Sequence, residues 1–135
     1  MSMRPEDSIG LFRSALLVAL SSGMGGVLRY LTGRWLQPLS TGNFPWATFC
    51  VNGAGCLMIG IVAGLSSRPT ALSPALALLL STGFCGGFTT FSTFSWENIQ
   101  LMRSGQWVVA GIYISASLTL GLLAAWMGWQ ISHKG

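Results

Sequence analysis

Four long apolar stretches joined by short polar connections leave this 135-residue chain little choice but to form membrane helices. They run from about residue 11 to 36, 46 to 65, 74 to 102 and 107 to 131. A hydrocarbon core takes about 20 mainly apolar helical residues to cross, and each stretch supplies them. The first connection holds Pro38, Ser40, Thr41, Gly42, Asn43 and Pro45. The second, between Ser66 and Ser73, holds Arg68 and Pro69, and the third holds Arg103, Ser104 and Gly105. Only 7% of the residues are charged, against about 25% in soluble domains, so a water-exposed fold could not wet its surface. The expected fold is an all-α integral membrane protein, a single four-helix transmembrane domain over residues 1–135. Trp35, Trp46, Trp107, Trp126 and Trp129 fall near span ends, where amphipathic rings favour the interface. Arg4 and Arg13 followed by Ala15 to Leu20 have the outline of a secretory leader. The apolar run continues through Gly25-Gly26-Val27-Leu28 and three more spans follow, which favours a retained first helix.

The third stretch, Pro74 to Met102, is longer than one straight crossing needs. Its middle holds Gly83, Gly86 and Gly87 and then a hydroxyl-rich run. Glycine and β-branched threonine are mediocre helix formers. Discontinuous helices at membrane depth commonly mark ion sites, because their broken ends present backbone carbonyls and N–H groups. The sequence therefore predicts a broken third helix.

Charge says something about orientation. With four spans, Arg4, Arg13, Arg68 and Lys134 share one side of the membrane, and Arg29, Arg34 and Arg103 share the other. Four against three is almost no bias, whereas a clear Lys/Arg excess normally sets orientation. Such a chain is suited to insert both ways round, and an antiparallel homodimer follows naturally. Gly60 and Gly64 in the second span form a GxxxG pair, which lets backbones approach in lipid.

The polar residues inside the spans are few. Thr89, Thr90, Ser92, Thr93 and Ser95 are interleaved with Phe91 and Phe94, and Phe88, Phe91 and Phe94 recur every three residues. A hydroxyl donates to an anion and a phenyl ring has a positive edge, so such a path suits a small, hard anion without a full positive charge that would trap it. The same spacing also serves plain packing, with hydroxyls bonded back to the helix. Asn52, a membrane amide, is either interhelical glue or a donor to an anion. Tyr113 and Ser117 lie one turn apart on the fourth span, with Gly121 next on that stripe and Ser115 and Thr119 on a neighbouring one. Arg29 either snorkels to the interface or braces an interhelical contact. Glu97 lies late in the third span, placed to line a vestibule or to cap a polar contact.

Other chemistries lack their residues. The sole histidine, His133, is near the C-terminal end, so no nucleophile–base pair exists, and there are no paired carboxylates, P-loop or dinucleotide fingerprint. An enzyme is not expected. Cys50, Cys56 and Cys85 form no CxxC pair or zinc spacing, and each is read as a small hydrophobe. The scattered basic residues make no patch for nucleic acid.

Gly25-Gly26-Val27-Leu28-Arg29-Tyr30, Val51-Asn52-Gly53-Ala54-Gly55, and Thr82-Gly83-Phe84-Cys85-Gly86-Gly87-Phe88-Thr89-Thr90-Phe91-Ser92-Thr93-Phe94-Ser95 with Glu97 together resemble the Fluc fluoride channels, also called CrcB proteins. The resemblance covers nearly the whole chain, and the third motif is its most specific part. It implies a fluoride-selective passive channel in the bacterial plasma (inner) membrane, multi-pass, releasing cytoplasmic fluoride and conferring fluoride resistance. It implies an antiparallel dual-topology homodimer with two pores and a structural Na⁺ at the dimer centre, held by the backbone carbonyls of Gly86 and Thr89 from both subunits. The pore residues it implies are Asn52, Phe91 and Phe94, with Ser92 and Thr93 on the hydroxyl run and Tyr113 and Ser117 on the fourth helix. The next step of that track is commonly Ser or Thr, and here it is Gly121, so water or a neighbouring hydroxyl such as Thr119 is expected to serve instead. The alternative is a proton-coupled small-cation exporter resembling the small multidrug transporters, which share size, span count and antiparallel pairing. These need a carboxylate deep in the first helix, and here Glu6 and Asp7 precede it.

Overall fold

The structure, a computed structural model, describes residues 5–39, 42–69 and 72–134, with side chains from residue 10 onward. Arg4, Ser40 and Thr41 lie outside the described residues, as do the side chains of Glu6 and Asp7. All regular secondary structure among the described residues is helical, with no strand. Helix α1 spans Pro5–Leu36 and α2 spans Trp46–Ser66. The third apolar stretch is built from α3 (Pro74–Leu78), a π-helical segment (Leu79–Cys85), α4 (Gly86–Phe88) and α5 (Phe91–Arg103). Helix α6 spans Trp107–His133. Among the described residues, four segments are long and apolar enough to cross a membrane: Gly10–Leu39, Trp46–Ser66, Pro74–Arg103 and Trp107–His133.

Local chemistry fixes the ends. Ser73 caps the third stretch by accepting a hydrogen bond from the Leu76 N–H, and Pro74 occupies the first helical position, where a missing N–H costs nothing. At the other end Gly105 adopts φ 78°. That left-handed residue lets the Gln106 N–H reach Leu101 O at 2.8 Å and the Gly105 N–H reach Met102 O at 3.0 Å, closing α5 and reversing the chain into α6.

Lipid offers helices no hydrophobic reason to associate, so close backbone contact through small residues takes over. Helix α2 lies along α6, and a Cβ placed on Gly60 would run into the Ala125 carbonyl. Helix α1 lies against the π-helical segment and α4, where a Cβ on Gly25 would strike the Phe84 carbonyl. The Ser22 hydroxyl donates to Gly83 O at 3.0 Å across the same seam. Most large apolar side chains point outward, Phe12, Met24 and Leu122 among them, which is inside-out for water and ordinary for lipid. Leu101, Ala110 and Tyr113 make a small buried cluster between α5 and α6.

Candidate functional site

The helical path of the third stretch is interrupted at two residues. Thr89 (φ −78°, ψ 160°) and Thr90 (φ −152°, ψ 113°) are extended between α4 and α5. Side chains from two other helices take up the backbone groups this leaves. Thr90 N–H donates to Asn52 Oδ1 at 2.8 Å, and Asn52 Nδ2 donates back to Thr90 O at 3.1 Å. Arg29 Nε donates to Gly87 O at 3.2 Å. The Thr90 hydroxyl caps α5 by accepting from Thr93 N–H at 3.2 Å, and itself donates to Thr93 Oγ1 at 2.9 Å. An unbroken helix would have given the Thr90 N–H to Gly86 O and the Thr93 N–H to Thr89 O. Asn52 and the Thr90 hydroxyl take those two donors instead, so both carbonyls lose their helical partner.

Beside the interruption lies an open groove of about 430 Å³. Its wall carries Asn52 and Cys56 from α2, Thr90, Phe91 and Phe94 from the third stretch, and Ser117 from α6. Gly86 and Thr89 also face it, and no charged side chain among the described residues does. The Ser117 hydroxyl is buried without a hydrogen-bond partner among the described residues. Asn52 has a second N–H beyond the one given to Thr90 O. Phe91 is 78% exposed, and its ring centre lies 5.9 Å from that of Phe94 at a tilt of 38°. Phe94 in turn meets Tyr113 edge-on at 5.0 Å. Neutral donors and phenyl rings, whose edges carry partial positive charge, can replace part of an anion's hydration without binding it as a fixed cation would.

Not every residue singled out from the sequence lies on this wall. Tyr113 is fully buried and absent from the wall, and its hydroxyl donates to Glu97 Oε2 at 2.8 Å. Thr48 Oγ1 donates to Glu97 Oε1 at 2.8 Å, so Glu97 ties α2, α5 and α6 together. Thr93 faces a second hollow of about 300 Å³ with Arg29, Arg34, Thr48 and Glu97. Ser92 is exposed, 3.3 Å from the Thr90 hydroxyl. Thr119 does not replace the missing side chain of Gly121. It lines a different groove with Ser115 and Gly111, because residues two apart on a helix point about 200° apart. Two residues contribute beyond their reading from the sequence. Thr90, one hydroxyl of the run, holds Asn52 through its backbone. Cys56, expected as a small hydrophobe, lies one turn after Asn52 on the same face and lines the groove.

Residues 16–129 match the family model described as CrcB-like protein, Camphor Resistance (CrcB). A protein of Flavobacterium psychrophilum named fluoride-specific ion channel FluC is 49% identical over 122 residues, covering 90% of this chain and 98% of the relative. Proteins of the same name from Rhizobium etli (49% identical over 117 residues, 87% of this chain and 94% of the relative) and Phocaeicola vulgatus (46% over 121 residues, 90% and 99%) are similar throughout their length.

Proposed function

The chain belongs to the CrcB family, and on that footing we propose that it is a fluoride-selective channel that lets cytoplasmic fluoride leave the cell down its electrochemical gradient. The observation that carries this reading is the uncharged groove beside Thr89 and Thr90, lined by Asn52, Ser117, Phe91 and Phe94. Fluoride holds its hydration strongly, so entry requires donors that are already positioned. HF crosses membranes neutral and ionises inside, and an exit for the anion protects the cell. The bacterial plasma membrane is the setting in which that exit serves.

In this reading the interruption at Thr89–Thr90 is the functional break of the third helix, and two copies assemble antiparallel. The nearly even split of Lys/Arg between the two sides supports dual insertion. The dimer is also the natural reading for Na⁺. The carbonyls of Gly86 and Thr89 have both lost their helical N–H donors, and unwound carbonyls of this kind suit Na⁺. One chain offers two such oxygens, so a second copy completes a cation site. The residues present therefore fit the ion, whose charge would hold the two breaks together. Asn52 and the Thr90 hydroxyl act on it indirectly, by keeping the N–H groups of Thr90 and Thr93 away from these oxygens.

The exporter alternative is not favoured. No Asp or Glu occurs between Gly10 and Leu36 to exchange protons for a cation. Fluoride efflux from liposomes containing purified protein, with chloride as control, tests the proposal. Fluoride flux that is selective and indifferent to a pH gradient is expected. Cation export driven by a pH gradient, or no fluoride flux, overturns it.

A further inference from the structure

The donor line along the groove has a gap on α6. Ser117 presents at the groove wall a buried hydroxyl that has no hydrogen-bond partner among the described residues. One turn further along the same face comes Gly121, which has no side chain to present. The space beside it holds a different group. A Cβ placed on Gly121 would meet a single heavy atom within 4 Å outside its own helix, Cys56 Sγ at 3.3 Å. Cys56 is half-buried and lines the groove itself, one turn beyond Asn52 on α2. Two stripes thus run side by side, Asn52–Cys56 and Ser117–Gly121, and the thiol of the first stands where the second lacks a donor.

We propose that the Cys56 thiol is a pore-lining donor that takes the place of the side chain absent at residue 121, so that the path runs past Asn52, Ser117 and Cys56. This inference rests on the fluoride-channel reading. A thiol is a weaker hydrogen-bond donor than a hydroxyl. It therefore continues the path with a shallow site, which a partly dehydrated ion leaves readily. Cys50 differs in both respects, being exposed and absent from the groove wall.

The test is fluoride efflux from liposomes holding the full-length protein, its Cys56→Ala, Cys56→Ser and Cys50→Ala variants, and the double variant Cys56→Ala/Gly121→Ser. Gel filtration in detergent checks that each is assembled. Cys56→Ala is expected to lose about tenfold in rate, the low end for one hydrogen bond to an ion. Cys56→Ser keeps a donor and is expected well above Cys56→Ala. Gly121→Ser is expected to restore flux to the alanine variant by returning a hydroxyl to the gap, and Cys50→Ala to leave the rate unchanged. Cys56→Ala at the parent rate overturns the proposal, and so does Cys56→Ser falling as far as Cys56→Ala, which would mark packing and not donation. A parent protein that passes no fluoride overturns the channel reading instead.

Discussion

Replacing Asn52 with alanine removes both hydrogen bonds between α2 and the extended Thr90 backbone, at 2.8 Å and 3.1 Å. Interhelical hydrogen bonds in membranes average about 0.6 kcal/mol. A buried polar group left without any partner costs about 1–3 kcal/mol. Two routes follow. If the chain rewinds and Thr90 N–H returns to Gly86 O, the loss is about 1 kcal/mol, but the break closes and the Gly86 carbonyl is no longer free. If it does not rewind, both Thr90 backbone groups are orphaned, at about 2–6 kcal/mol in all. Either route ends in weak or absent fluoride efflux, accompanied by a lower unfolding midpoint in detergent. Asn52→Asp keeps an acceptor for Thr90 N–H but loses the donor to Thr90 O, so stability falls here too. It also sets a carboxylate on the groove wall, so efflux is expected to fall at least as far. Thermal unfolding and liposome efflux on the same preparations read both effects. An Asn52→Ala protein with parental midpoint and parental efflux would refute the claim that this amide holds the interruption open.

Phe94→Ile keeps most of the side-chain volume but removes a ring edge from the groove, so efflux is expected to fall about tenfold. The edge contact with Tyr113 costs only about 0.5–1.5 kcal/mol in unfolding when lost. Gly60→Ala forces a methyl against the Ala125 carbonyl and should lower stability by about 1–3 kcal/mol. Gly111→Ala, with nothing within 4 Å of the added methyl among the described residues, should not lower the unfolding midpoint. Tyr113→Phe removes one hydrogen bond to Glu97, and a loss of about 1.5–3 kcal/mol is expected by thermal unfolding, the range for a bond to a charged group. Raising Na⁺ at constant ionic strength should raise the unfolding midpoint, by about 2.7 kcal/mol of stability at one hundred times the dissociation constant. Equal midpoints in Na⁺ and N-methylglucamine would remove the carbonyl site from the proposal.

Residue chemistry singles out the polar and aromatic side chains inside the spans, but not how they are arranged among the helices. Asn52, Phe91, Phe94 and Ser117 do share one groove. Tyr113, on the same stripe as Ser117, is instead buried and turned to Glu97. Helical periodicity says that two residues face the same way, but not how deep the neighbouring helix sits at each turn. The same limit explains Gly121. Its missing side chain was visible in the sequence, and only the approach of α2 brings Cys56 Sγ, and not Thr119, to the vacancy.

The sequence by itself determined the four membrane segments, because hydropathy is a local sum over neighbouring residues and the cost of putting charge in lipid leaves no other solution. It also marked the third stretch as the unusual one, through its length, its glycines and its hydroxyls. Only the tertiary structure decided where the helical path is interrupted and what holds it so. Thr90 is extended with its N–H bonded to Asn52, 38 residues away, while Thr90's own hydroxyl restarts the helix. Such an arrangement belongs to the packing of three helices. The freed carbonyls of Gly86 and Thr89 exist because side chains brought in by that packing claim donors that propensity alone would have left in the helix.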